Sequence, residues 1–260
     1  MVVAQTGNKM ATLLIFIDSL PYSYAKNFMK KIDSSYEVSE VTPGAGFSNN
    51  IYAEIVTGLN PDEIGYFNEW EYINEKVEPP RLYKLLHVFD FIRSKIYVNA
   101  GFRRLILKRL FRLNSFNIPF KYLHLFKSGK SHNFRDISHG NILHQNNFEI
   151  FDAAEYNDKV GRRDGKVLTD ASQNLSNKNH LVSLVDLDNI AHIYGMHSPQ
   201  YNEHLNFLAK ELKNLCDNFK SFSEENKVVL FSDHGMAPVV QGVNFELESK
   251  FGLVSQLNYV

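Results

Sequence analysis

The chain has 260 residues, 44% of them hydrophobic and 22% charged, enough for one large domain or one and a half. Its net charge of -1 carries no nucleic-acid signature, and its one cysteine, Cys216, excludes an internal disulfide and a zinc–thiolate cluster. No apolar run reaches the length of a membrane span and no signal peptide is evident, so a reducing, cytoplasmic setting is the expectation.

The first element predicted is a strand at 12–17, a continuous apolar run that closes on Asp18, as buried parallel strands do. Pro43-Gly44-Ala45-Gly46 reads as a turn. A helix then opens near Ser48, with Ile51 and Ile55 on one face and Gly58 as its stop before Pro61. Residues 81–126 look helical, aromatic and basic, broken at Pro119, while 128–179 are polar and loop-rich with weak periodicity. A second buried strand is predicted over 180–187, ending at Asp188. Ser198 and Pro199 open the next helix as N-cap and first-turn proline. Tyr201, Leu205, Leu208, Leu212, Leu215 and Phe219 form its buried stripe at spacings of three and four. A third strand at 227–231 leads into Ser232-Asp233-His234.

Strands alternating with helices predict an α/β fold with a mainly parallel sheet flanked by helices. The expected organisation is a core of 1–80 and 180–260 with a helical, basic cap insertion at 81–179. In such sheets the functional crevice lies outside the C-terminal strand ends, where Asp18, Asp188 and Asp233 all fall. One acid there is commonplace as a cap or turn former; three, two of them with histidines alongside, make that explanation less attractive. Asp188 and His192, four residues apart, share a face if the backbone is helical and can grip one Zn²⁺-like ion through oxygen and nitrogen. Asp233 and His234 are adjacent, so their side chains diverge unless the strand end bends, which Gly235 permits. Ser48 is the candidate nucleophile: metal coordination and a helix N-terminus both activate a serine hydroxyl and favour a phosphoryl oxygen. Its plainer role is N-cap. Asn49 and Asn50 either hydrogen-bond a phosphoryl oxygen or shape the turn. Gly161-Arg162-Arg163-Asp164-Gly165-Lys166 has three residues between its glycines and Val167 after the lysine, which excludes a P-loop.

The ordered set LLIFIDSL, TPGAGFSNNIYAEIVTGLNPDEIGYF, DLDNIAHIYG and VVLFSDHGM resembles the type I phosphodiesterase/nucleotide pyrophosphatase family of the alkaline phosphatase superfamily. Ser48 stands nine residues before the Thr57 of Thr57-Gly58-Leu59-Asn60-Pro61, as that family's nucleophile does. The resemblance covers 12–66 and 180–238. It implies a hydrolase of phosphoric mono- or diesters with two divalent ions, zinc in most of the family. One ion would be held by Asp18, Ser48, Asp233 and His234, the second by Asp188, His192 and a further histidine. The ions would clamp the attacking and leaving oxygens of an in-line displacement, with Ser48 attacking phosphorus. Two departures stand out. Ala191 replaces the glycine before the histidine, and no histidine follows His234 to complete the second site. The corresponding expectation is a C-terminally truncated member. His197 is expected on the surface, and a sulfatase is disfavoured because Ser48-Asn49-Asn50-Ile51-Tyr52 lacks the C/S-x-P-x-R context.

Residues 81–135 hold 13 of the 28 Lys and Arg but only Asp90 of the 29 acids. Three readings stand side by side: a cap with a solvated face, an interfacial helix making peripheral membrane contact on anionic lipid, and a surface steering a phosphorylated small-molecule or lipid-linked substrate. Nucleic acid is disfavoured because no recognition motif accompanies the charge. The alternative to an enzyme is a truncated, inactive relative that binds an anionic ligand or membrane surface through this segment.

Overall fold

β1 (Thr12–Ile17) runs through the middle of a parallel sheet in the computed structural model, which describes residues 10–42, 48–60, 63, 70–72, 81, 109, 126–128, 134 and 140–236. The remaining elements in chain order are α1 (Tyr22–Ile32), α2 (Ser48–Thr57), β2 (Trp70–Tyr72), β3 (Phe126–Ser128), α3 (Ile142–Gln145), β4 (Glu149–Asp152), a 3₁₀ turn (Ala153–Glu155), α4 (Arg163–Asn174), β5 (His180–Leu184), α5 (Asp186–Tyr194), α6 (Pro199–Phe222) and β6 (Lys227–Phe231). Four strands pair in the order β4–β5–β1–β6, all parallel.

Two compact units emerge. The first comprises Met1–Ile64 and His132–Pro238 and contains this sheet. The second comprises Gly65–Ser131 and Val239–Val260; its described residues include β2 and β3, an antiparallel pair with Trp70 opposite Ser128.

The alternation of side chains along β1 explains the layering of the first unit. Leu13, Ile15 and Ile17 face a core shared with Phe28, Met29 and Ile32 of α1, Val167 and Leu168 of α4, and the stripe of α6. Phe16 faces the other way, onto Tyr52, Ala53 and Val56 of α2 and Leu143 of α3. Helices therefore cover both faces, and β1 can be apolar from Leu13 to Ile17. In α6, Tyr201, Leu205, Leu208, Leu212, Leu215 and Phe219 are all buried, and the Ser198 hydroxyl accepts from the Tyr201 amide at 3.2 Å. Full burial of each such side chain contributes roughly 1.5–3 kcal/mol. Gly58, just past α2, has φ +69°, and its amide closes on the Glu54 carbonyl at 2.8 Å. Cys216 is buried in α6, its thiol pushed up to about 11 by that burial, which suits a packing role. No helix among the described residues is long and apolar enough to cross a membrane.

Two expectations from sequence need correction, and a third lies outside the described residues. The second strand ends at Leu184, not Leu187, and a helix begins at Asp186. The stretch 128–179 holds α3, β4 and α4, and 132–179 packs with the first unit although the sequence assigns it to the insertion. Of the basic segment 81–135, only Arg81, Arg109, 126–128 and Phe134 are described, so the helical cap, like the turn at 43–47, lies outside the described residues.

The early end of β5 and the start of α4 share a cause. Asp164 at the start of α4 and Asp186 at the start of α5 cap each other's helices. Asp164 Oδ1 accepts from the Val185 and Asp186 amides at 2.9 and 3.2 Å. Asp186 Oδ2 accepts from the Arg163 and Asp164 amides at 2.8 and 3.1 Å. The Arg163 guanidinium binds Asp186 Oδ1, and His204 Nε2 meets Asp164 Oδ2 at 2.8 Å. Both aspartates are wholly buried. The amides that would have prolonged β5 are therefore drawn into a helix start.

Candidate metal centre

Because β5, β1 and β6 are neighbours and parallel, their C-terminal ends deliver side chains to one edge of the sheet. Asp18 follows β1 directly, its amide extending the ladder to the Leu184 carbonyl at 2.9 Å. Asp233 and His234 follow β6. Asp188 belongs to the first turn of α5 rather than to a strand end, as a consequence of the crossed caps.

The turns after β1 and β6 are laced together. The Ser19 amide donates to Asp233 Oδ1 at 3.4 Å, and the Leu20 amide donates to Ser232 Oγ at 2.9 Å. Ser232 Oγ in turn donates to the His234 carbonyl at 2.9 Å. A Cβ on Gly235 would stand 2.9 Å from Pro21 Cβ. Gly235 is thus needed for the close approach of the two turns, whereas the sequence suggested a bend.

Lacing brings Asp18, Asp233 and His234 together, with one ligand atom from each lying within 4.8 Å of the others. His234 Nε2 is 3.4 Å from both Asp18 Oδ1 and Asp233 Oδ2. The partner of its other nitrogen is the Gly235 carbonyl, at 2.9 Å from Nδ1. Donation from Nδ1 leaves the Nε2 lone pair directed at the carboxylates, the tautomer a metal-ligating histidine adopts. Asp188 and His192 form a pair beside this cluster, with Nε2 to Oδ1 at 3.5 Å and His192 exposed to solvent. His197 is exposed and meets the Tyr24 hydroxyl at 3.0 Å.

Electrostatics give the cluster its meaning. Burial, followed by the charges of Asp233 and Asp188, pushes Asp18 up to about 9, although the Tyr52 hydroxyl donates to its Oδ2 at 3.4 Å. Burial also raises Asp188, opposed by His192 and His234. Asp18 Oδ1, Asp188 Oδ1 and Asp233 Oδ2 are buried and accept no hydrogen bond. Three crowded carboxylates with orphaned oxygens and an adjacent imidazole are costly as they stand and fit a divalent cation bound through oxygen and nitrogen.

The sign of the Asp18 shift yields a prediction. Its folded value of about 9 exceeds the ordinary 3.8, so the native chain holds the proton more tightly than the unfolded one. This contribution to stability is present below 3.8 and lost as pH rises toward 9. His180, lowered by burial, acts oppositely below 6.5, so pH 7–9 is the clean window. Thermal melts of ion-stripped protein should fall across that window and flatten when a divalent ion is added. Stability that rises from pH 7 to 9 without ion would contradict this.

Ser48, Asn49 and Asn50 form the first turn of α2. One turn further on the same helix is Tyr52, which contacts Asp18, so α2 is anchored at this edge. Sequence reasoning passed over Tyr52, Ser19, Asp164 and Asp186; for Tyr52 the four-residue interval from Ser48 was an available signal.

A family model described as type I phosphodiesterase / nucleotide pyrophosphatase matches residues 12–253. No curated protein matches the chain.

Proposed function

The chain belongs to the type I phosphodiesterase/nucleotide pyrophosphatase family, a hydrolase family of the alkaline phosphatase superfamily, and on that premise we propose that it hydrolyses phosphoric mono- or diesters in a metal-dependent reaction with Ser48 as nucleophile. The observation that supports this most is the Asp18, Asp233 and His234 cluster, with two buried carboxylate oxygens that no protein donor satisfies.

Those three residues would hold one divalent cation together with Ser48, and Asp188 and His192 would contribute to a second, zinc being suited to such N/O ligation. Bound ions there would neutralise phosphoryl charge and make a hydroxyl more acidic. The chain's own residues supply the rest. Ser48 opens α2, where the helix N-terminus favours negative charge. Its oxygen attacks phosphorus, the bond to the leaving oxygen breaks, and water then cleaves the phosphoseryl ester. Asn49 and Asn50 would bind a phosphoryl oxygen. Tyr52 holds Asp18, and the Gly235 carbonyl holds the His234 ring. The substrate class proposed is a phosphorylated small molecule or a lipid-linked phosphoester, steered by the basic segment 81–135 at a cytoplasmic membrane face.

Protein stripped with a chelator should hydrolyse bis-p-nitrophenyl phosphate and p-nitrophenyl phosphate no faster than buffer, and added Zn²⁺ should restore turnover. Asp233→Asn should raise the zinc concentration needed by about tenfold or more. Turnover indifferent to both chelator and Asp233→Asn would overturn the proposal.

A further inference from the structure

Gly161-Arg162-Arg163-Asp164-Gly165-Lys166, which cannot cradle a phosphate as a P-loop does, grips the start of α5 instead. Arg163 meets the carboxylate of Asp186 three times. Its amide donates to Oδ2 at 2.8 Å, its Nε donates to Oδ1 at 2.8 Å, and its Nη2 lies 2.6 Å from the same Oδ1. Asp164 returns the grip by accepting from the Val185 and Asp186 amides. Gly161, with φ +87°, lets the chain turn within van der Waals reach of Ile190 in the same helix.

Two carboxylates without solvent exposure are an expensive way to cap two helices, because neutral asparagine and serine side chains also cap. What the charged network adds is a fixed helix start. A guanidinium presents its donors in a rigid fork, which holds Asp186 in one orientation. Asp186 lies two residues before Asp188. Asp188 and His192 share a face only while 188–192 is helical, so their approach to 3.5 Å depends on α5 beginning at Asp186. Were β5 to run on through Leu187, the first turn of α5 would not form around Asp188 and the pair would be lost.

We infer that Arg163 is a positioning residue for the second ligand pair: by locking Asp186 it fixes where α5 begins and so sets Asp188 and His192 on one face for a cation. The inference rests on the metal-dependent reading above. It gives a role to a motif that the chemistry at the sheet edge leaves unused. Arg163 acts through Asp186 and the helix start, by backbone geometry.

The experiment uses the full chain, stripped and then titrated with Zn²⁺ by equilibrium dialysis with elemental analysis, alongside thermal melts of the stripped proteins. Arg163→Met keeps the amide and an apolar stem and loses the guanidinium; Arg163→Lys keeps the charge without the fork. Leu215→Ala is the control, since it opens a cavity in the buried stripe of α6, in the C-terminal half of that helix. The Met variant should hold the first ion as wild type does and bind the second about tenfold or more weakly, with the Lys variant between. The control should melt lower yet bind both ions as wild type does, which separates positioning from mere packing. Wild-type second-ion affinity in the Met variant would overturn the role of Arg163 alone, as would equal weakening of both ions or a control that loses the second ion as well. If the Met variant does not fold, the Lys variant decides on the same comparison. A wild-type protein that takes up fewer than two ions would overturn it together with the two-ion reading.

Discussion

Ser48→Ala is expected to abolish ester hydrolysis, lowering kcat/KM by about a thousandfold or more. The size of the effect distinguishes two roles for one hydroxyl. Ser48 opens α2, and a serine there can serve simply as a cap, whose loss costs about 1 kcal/mol of stability and leaves chemistry intact. If Ser48 is the nucleophile, activity disappears out of all proportion to that small change. Its position favours the second outcome, because Tyr52, one turn along, touches Asp18 and thereby ties the start of α2 to the carboxylate cluster. Ser48→Thr retains a hydroxyl and should keep measurable turnover. Steady-state kinetics on bis-p-nitrophenyl phosphate, paired with melts of the same preparations, decide it. An Ala variant with more than a tenth of wild-type kcat/KM would remove Ser48 from the chemistry.

Asp164→Ala should cost about 3–5 kcal/mol, the range for removing one member of a buried charged network. Asp164 is wholly buried and accepts from two backbone amides and His204. Truncation leaves all of these donors buried without an acceptor and unpins α5, which carries Asp188 and His192. Asp164→Asn keeps one carbonyl oxygen and should lose distinctly less. For contrast, Lys213→Ala breaks the exposed Lys213–Asp217 pair and should leave stability close to wild type. Trp70, the sole tryptophan, belongs to the second unit, so urea unfolding is better followed by far-UV circular dichroism than by its fluorescence. A loss below about 1 kcal/mol for Asp164→Ala would show that the crossed caps are not what holds α5.

Several elements were legible in the sequence because their signals are local. The strand at 12–17 is apolar from Leu13 to Ile17, and β1 occupies it. The helix after Ser198 announces itself by cap, proline and stripe, and α6 follows that pattern through six buried side chains. The strand at 227–231 and the stop at Gly58 rest on equally short-range cues. Where the sequence misled, the deciding partner was distant. Asp164 lies among polar residues that suggest a loop, yet it is buried because its acceptors serve amides 21 and 22 positions away and a histidine 40 positions away. β4 has only four residues, too few for a period, and becomes a strand by pairing with β5.

The candidate centre divides in the same way. Residue types and order alone identified Asp18, Asp233 and His234 as acids and imidazole at strand ends, since a buried parallel strand must end in polar residues at the sheet edge. Their convergence within 4.8 Å was not determined by that order. It depends on the Ser19 and Leu20 amides reaching across to the turn after β6, and on a glycine small enough to lie against Pro21. Placement of Asp188 on a helix rather than a strand end likewise depended on Asp164 capturing the Val185 and Asp186 amides. Local sequence therefore determined which groups stand at the edge. Tertiary hydrogen bonding between segments more than 20 residues apart decided how close they come, because backbone amides at strand ends have no partner until another turn supplies one.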